Sequence, residues 1–457
     1  MIFSSLLFIF WFMPVFFFIY YLAPGKLKNI VLFLGSIIFY GWGEPKYLLL
    51  IFISIIINYI AGLVIDREKE RILLKRGVFL LCLLFDISML FLFKYINFFI
   101  DNINSCFHTE FSFVEVTLPL GISFYTFQIM SYVIDLYRGK VKAQYSPLKL
   151  GTYLIMFPQL IAGPIVVYGE VEKELDERKL KLEDIEEGIK IFILGLSSKV
   201  IIANSVGSLW DELDKLGYDN ISTPLAWLGA IAYTLQIYFD FNGYSLMAIG
   251  LGKLLGFNFP KNFDLPYISS SITEFWRRWH MTLSGWFREY LYIPLGGNRK
   301  GKFRTYVNLF IVWFLTGLWH GASWNFVMWG LYFFILLSLE KLFLGKIISK
   351  MKLLAHIYTL FLVVISWVIF AITDPAKLLC FLKSMFIFKG GEDIIYYAGN
   401  YGLIIIIAMV ASSGLLSRIF GKIKNKAVSG LICMGLLLIS VAYLADAAYN
   451  PFLYFRF

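Results

Sequence analysis

Uncharged apolar runs of bilayer length decide what this chain can fold into. A helix needs about 17–25 mostly apolar residues to cross a hydrocarbon core of roughly 30 Å. Ile2–Leu22, Leu48–Ile65, Tyr396–Ser417 and Ala427–Ala445 meet that length without an Asp, Glu, Lys or Arg. Leu353–Thr373 does so with His356 as its one ionisable group. Shorter apolar runs at Asn29–Trp42, Gly77–Phe93, Leu118–Ile134, Tyr153–Ile165, Ile189–Ala203, Leu225–Phe239, Val307–Leu318 and Asn325–Leu339 predict further helices. Several are short for a tilted span, and broken or re-entrant segments are tolerated in a membrane where protein buries them. The fold class is therefore all-α: a polytopic helical membrane protein with broken and interfacial helices. The absence of an internal repeat or low-complexity linker predicts one membrane-embedded domain over residues 1–457.

Composition supports this. Apolar residues make up 59% of the chain and charged residues 16%, against roughly 25% charged in ordinary globular chains. The net charge of +10 does not point to nucleic acid, because Lys and Arg sit in short segments between apolar runs. That is the pattern of cytoplasmic loops. Lys26 and Lys28, Asp66–Arg76, Arg138–Lys142, Arg299–Arg304, Lys346–Lys352 and Arg418–Lys426 are expected on that side, which places both termini and the loop Asp101–Glu115 outside. The polar stretch Glu170–Gly188 suits a cytoplasmic surface helix or loop. The opening apolar run lacks a basic leader and an A-x-A-like site, which predicts a retained first helix. Cys82, Cys106, Cys380 and Cys433 form no C-x-x-C pair and read as small packing residues, so no metal is expected.

Two segments stand out. In Glu274–Tyr290, a helical wheel puts Trp276, Trp279, Leu283, Trp286, Phe287 and Tyr290 on one face. It puts Arg277, Ser284 and Arg288 on another, with His280 at the border. Aromatic and guanidinium faces on one helix predict an interfacial helix. The turn that follows, Ile293–Lys302, contains Gly296-Gly297-Asn298-Arg299, where backbone amides and cationic side chains can approach phosphates. The second segment is Thr305–Glu340. One unbroken helix there would be about 54 Å long, so it must break. Gly, Ser and Asn concentrate at Gly317–Asn325, which places His320 at the bend among Trp313, Trp319, Trp324 and Trp329. An ionisable group at membrane depth marks a functional site or a buried, carbonyl-bonded histidine that fastens the bend. His356 and His108 read as structural. Asp240 opens Asp240–Ser245, read as a polar break after an apolar run, from which it can orient an imidazole or an arginine. A neutral imidazole suits removal of a proton from a hydroxyl or thiol attacking an acyl carbon. No Walker-type loop or H-E-x-x-H pair supports ATP-driven transport or metal catalysis.

The ordered motifs Ser131–Gly139, Phe157–Pro164, Asp240–Ser245, Phe275–Ser284, Tyr292–Arg299 and Leu315–Asn325 resemble those of the membrane-bound O-acyltransferase family, in its bacterial alginate O-acetyltransferase-like branch. The terminal Asn450–Phe457 is similar as well. The resemblance implies a central tunnel, with His320 matching the catalytic histidine and His280 a second histidine nearer the cytoplasm. Arg277, Arg288, Trp319, Asp240, Asn242, Asn298 and Arg299 are the accompanying candidates for substrate binding or orientation. Asn242 stands where the pattern has Ser, Leu246 where it has an acidic residue, and Glu289 where it has Asp. The first two bear on the acceptor-side pocket.

What the resemblance implies is relay of an acyl group, acetyl from acetyl-CoA, with no tightly bound cofactor. The group would pass from the cytosol across a bacterial cell membrane toward an exported polysaccharide. An extracytoplasmic SGNH-type acetyltransferase and the polysaccharide synthase machinery are the implied partners, with membrane lipid around the helices. D-alanyl transfer to teichoic acid, a non-catalytic polysaccharide exporter and a protein-lipidating acyltransferase are the alternatives.

Overall fold

The apolar runs fold as helices in the computed structural model, which describes residues 1–68, 70–446 and 453. No strand occurs among the described residues. In chain order the principal helices are α1 (Phe8–Leu22), α2 (Lys28–Gly41), α3 (Pro45–Arg67), α4 (Ile72–Phe107), α5 (Ile122–Tyr137), α6 (Pro147–Ile155) and α7 (Tyr168–Asp176). They continue with α8 (Leu182–Leu216), α9 (Thr223–Leu255), α10 (Ile272–Arg278), α11 (Met281–Phe287), α12 (Lys302–His320), α13 (Trp324–Ile348) and α14 (Lys352–Ala371). The last are α15 (Pro375–Phe386), α16 (Asp393–Ser412) and α17 (Lys426–Asp446). Among the described residues seven of them, α3, α4, α8, α13, α14, α16 and α17, are long and apolar enough to cross a membrane. The Asn450–Phe457 motif lies outside the described residues apart from Leu453.

The chain divides into two compact units, Met1–Phe192 with Met247–Pro260, and Ile193–Leu246 with Lys261–Phe457. In the first unit Phe3, Phe8, Phe12, Phe16 and Phe39 gather around Phe157 with ring centroids 5.1–6.4 Å from it. A polar knot is buried between α3 and α4: Asn58 Nδ2 donates to Asp86 Oδ1 (3.0 Å), and Cys82 Sγ donates to Asn58 Oδ1 (3.1 Å). Part of the expected outer loop Asp101–Glu115 is helical, because α4 runs to Phe107. The segment beyond it is tied back to α4 by two-way amide bonds, Asn97 with the main chain of Val114 and Asn104 with that of Phe111. Glu170–Gly188, expected as a surface helix or loop, is divided between α7 and the start of α8, and α7 buries Val171 and Leu175.

The second unit holds every candidate site residue. Its core is aromatic, with Trp276, Trp279, Trp313, Trp329, Trp367 and Phe370 all buried in one cluster. Two features differ in their agreement with the sequence reading. The break expected within Gly317–Asn325 is present: α12 ends at His320, Gly321 and Ser323 are extended, and α13 begins at Trp324. By contrast Asp240–Ser245, expected as a break after Phe239, lies inside the continuous helix α9. The polar residues do not interrupt the helix because they are matched by α8. Asp240 Oδ1 lies 2.8 Å from Lys199 Nζ, both side chains being almost fully buried. Lys199 also donates to Asn204 Oδ1 (2.9 Å). Gly243 lets the two backbones meet, since a Cβ there would lie 2.7 Å from the Gly195 carbonyl oxygen.

Close backbone approach also builds the α12–α13 hairpin. A Cβ on Gly317 would sit 2.3 Å from the Phe326 carbonyl oxygen, and one on Gly330 would sit 2.3 Å from that of Trp313. Small residues at such crossings let apolar helices associate through backbone packing. Gly317→Ala and Gly330→Ala are each expected to destabilise the protein by about 1–3 kcal/mol, read as a lower melting temperature in detergent. Lys199→Met leaves Asp240 as an uncompensated buried charge and is expected to cost about 3–5 kcal/mol. The double change Lys199→Met with Asp240→Asn should recover much of that loss in the same melting assay.

Candidate active site

His320 is the last residue of α12, carried to its position by the helix break that length alone required. Its imidazole is held edge-to-face by Trp319, Trp329 and Phe370, with ring centroids 5.1, 5.0 and 5.2 Å away. Ring contacts with three aromatic side chains fix the imidazole. The ring lines a small cavity of about 20 Å³ with Asp240, Phe241, Trp279, Trp367 and Leu453. That volume suits about one water molecule. Asp240 brings the carboxylate to this cavity from α9, and its second oxygen accepts from the Leu453 main-chain N–H (2.9 Å). The sequence reading paired Asp240 with an imidazole or an arginine; its ion pair is with Lys199, and it shares the cavity with His320. With its charge matched by an ammonium, Asp240 suits orientation better than proton removal.

His280 departs from the sequence reading. Glu274–Tyr290 is not one helix with His280 on its border. The chain breaks after α10, with Trp279 extended and His280 left-handed (φ +43°), before α11 begins. That conformation is uncommon for a side-chain-bearing residue, and the neighbouring chain holds it. The Met281 N–H donates to the Asn262 carbonyl (2.9 Å), and the Asp264 N–H donates to that of Arg278 (2.9 Å). Arg278 also bonds Glu274 and Asp264, so this guanidinium is structural. At the other end of α10, Glu340 accepts from the N–H groups of Ile272 (2.7 Å) and Thr273 (2.9 Å), matching the positive helix terminus with a buried carboxylate.

The His280 side chain is wholly buried. Phe241 lies 4.7 Å from it with the ring planes nearly perpendicular, and Trp319 lies 5.9 Å from it, so Trp319 is in ring contact with both histidines. His280 belongs to none of the seven apolar stretches. Burial pushes its imidazole down to about 3, which keeps the ring neutral at physiological pH.

The cationic candidates assemble elsewhere in the unit. Arg288, Tyr292, Asn298, Arg299 and Lys300 line a cleft of about 490 Å³ around the Gly296–Gly297 turn. Gly296 (φ +105°) and Gly297 (φ +56°) adopt backbone conformations that favour glycine. Asn308 of α12 pins the turn by donating to the Gly297 carbonyl (2.8 Å). A second groove of about 230 Å³ is lined by Arg277, Arg288, Trp276, Leu283, Trp313 and Leu337. Arg288 belongs to both. The expected grouping of His280 with Arg277 and Arg288 is therefore not the one seen, because the break at His280 turns its ring into the core. Asn242 is half-buried on α9 and is not among the side chains lining the His320 cavity. His356 Nδ1 lies 3.0 Å from the Ser269 carbonyl, the contact of a packing histidine, and His108 caps the end of α4.

Lys199, Asn262, Asn308 and Glu340 escaped the sequence reading. Each is a single polar residue whose partner is distant in the chain, with no local spacing to mark it. Among the described residues, no group of three or more His, Cys, Asp or Glu is placed to hold a metal ion.

A family model described as MBOAT, membrane-bound O-acyltransferase family, matches residues 79–382, which include both histidines and the basic turn. A probable alginate O-acetylase AlgI of Pseudomonas aeruginosa is 42% identical over 379 residues, covering 81% of this chain and 72% of its own. A peptidoglycan O-acetyltransferase of Helicobacter pylori is 36% identical over 84% of this chain and 80% of its own. A teichoic acid D-alanyltransferase of Bacillus subtilis is 30% identical over 49% of this chain and 59% of its own. Matched by this family model over more than half of its length and by relatives over most of it, this multi-pass membrane protein is an acyltransferase belonging to the membrane-bound O-acyltransferase family.

Proposed function

We propose that this enzyme takes an acetyl group from acetyl-CoA on the cytoplasmic side of a bacterial cell membrane and relays it outward for O-acetylation of an exported or cell-surface polysaccharide. The observation that carries the reading is His320, an imidazole fixed by aromatic rings in a small cavity that a carboxylate shares. The extent of similarity to O-acetylases of alginate and peptidoglycan supports an acetyl group and a polysaccharide acceptor over D-alanyl transfer, for which the similarity spans half of the chain.

The chemistry follows from the side chains. As the acceptor oxygen bonds to the acyl carbon, His320 takes its proton, acting as general base. The carbon–sulfur bond then breaks, and the departing thiolate recovers that proton from the imidazolium. Asp240, held by Lys199, orients the reacting groups from the same cavity. Arg288, Arg299 and Lys300 suit the phosphates of the donor, and the apolar groove that shares Arg288 suits its less polar arm. The positive-inside pattern of the basic loops supports a cleft on the cytoplasmic, donor side, with both termini outside. An extracytoplasmic acetyltransferase of the SGNH type completes transfer onto the polymer made by a neighbouring synthase. A D-alanyl thioester on a carrier protein is the second reading, favoured by the D-alanyltransferase similarity.

In cells, His320→Ala is expected to leave polymer yield and length unchanged while polymer acetyl content falls to background. Loss of export with acetylation intact would instead identify an exporter. In isolated membranes, Arg288→Ala is expected to raise the KM for acetyl-CoA roughly tenfold with a smaller change in kcat, as loss of one charge-assisted contact implies. Equal kinetics for wild type and Arg288→Ala would remove the basic cleft from the donor site. Efficient turnover of D-alanyl carrier protein with none of acetyl-CoA would favour the second reading.

A further inference from the structure

His280 is oriented by hydrogen bonds that leave it one protonation pattern. Asn262, in the segment between α9 and α10, presents its side-chain oxygen to the Thr282 N–H (3.4 Å) and to Thr282 Oγ1 (2.9 Å). A main-chain N–H only donates, so the atom facing it is the amide oxygen. The amide nitrogen, on the other side, donates to Ser245 Oγ of α9 (3.0 Å). His280 Nδ1 lies 3.0 Å from that same oxygen and must therefore carry the hydrogen. A neutral imidazole has one N–H, so Nε2 holds a lone pair. Nε2 is buried and has no hydrogen-bond partner among the described residues.

A buried acceptor left unmatched costs about 1–3 kcal/mol. Native folds retain such groups where a ligand or an ordered water supplies the missing donor. The strained backbone of His280 and the packing of Phe241 and Trp319 against its ring hold that lone pair in place.

We propose that Asn262 is a positioning residue that locks His280 in the Nδ1–H tautomer, so that Nε2 offers a buried acceptor to an O–H, N–H or S–H group of a bound substrate. The proposal rests on the acyl-transfer reading of this site. The chemical class it selects is a substrate with a polar hydrogen at that point. A substrate presenting only an acceptor there is disfavoured, because two lone pairs would face each other.

The test is nitrogen-15 spectroscopy of histidine-labelled protein in nanodiscs. With four histidines in the chain, the His280 ring is assigned by comparison with His280→Gln. The expected wild-type spectrum has a protonated Nδ1 and a bare Nε2. Asn262→Asp keeps an oxygen acceptor opposite Nδ1 and should keep Nδ1 protonated. Asn262→Leu should mix or reverse the tautomer and lower kcat on the order of tenfold, with a smaller effect on KM. If Asn262→Leu does not fold, Asn262→Ala, which removes the same oxygen with less bulk, is the second variant, and its spectrum should show the same mixed or reversed tautomer. A protonated Nε2 in wild type, or unchanged spectrum and kcat in Asn262→Leu, overturns the proposal. Wild-type protein that shows the expected tautomer yet transfers no acetyl group refutes the acetyl-transfer reading and leaves the tautomer assignment standing.

Discussion

A polar group withdrawn from water into an apolar helical core must be matched there or cost several kcal/mol, and that constraint organises this protein. Lys199 and Asp240 satisfy it across α8 and α9, allowing α9 to pass through a polar sequence without breaking. Glu340 satisfies it for the first N–H groups of α10. Asn262 satisfies it for His280, Thr282 and Ser245 together. These matches hold the aromatic core in register, and the core in turn fixes the two histidine rings.

The parts of the site that were legible in the sequence were those set by length. A stretch from Thr305 to Glu340 exceeds a bilayer as one helix, and Gly317–Asn325 is where the chain has residues that tolerate a break. His320 follows from that argument. The break at His280 was not legible, because Glu274–Tyr290 has a coherent helical face and no glycine or proline before His280. What breaks it is the segment around Asn262 and Asp264, whose main chain pairs with that of Arg278 and Met281. The opposite error at Asp240–Ser245 has the same origin, since the lysine that neutralises Asp240 lies on the preceding helix. The wheel did separate Arg277, which is exposed, from Arg278, which is committed to Glu274 and Asp264. The apolar runs themselves predicted the all-helical class well, because their lengths and lack of charge need no distant partner to interpret.

The site places different properties at different positions. The cleft around Gly296–Gly297 is cationic, the groove beside it is largely apolar with two guanidinium groups, and the His320 cavity is aromatic with one matched carboxylate. A phosphorylated thioester carries the complementary sequence of properties along its own length. With about 20 Å³ beside His320, the aromatic rings leave little free space there.

The most direct measurement follows thiol release from acetyl-CoA by purified protein in proteoliposomes, with the acceptor supplied on the opposite face. The account expects acceptor-dependent release by wild-type protein, and its loss on changing His320 to Ala or Gln in protein whose melting temperature is unchanged. Undiminished release by those folded variants would contradict the placement of the reaction at the helix break.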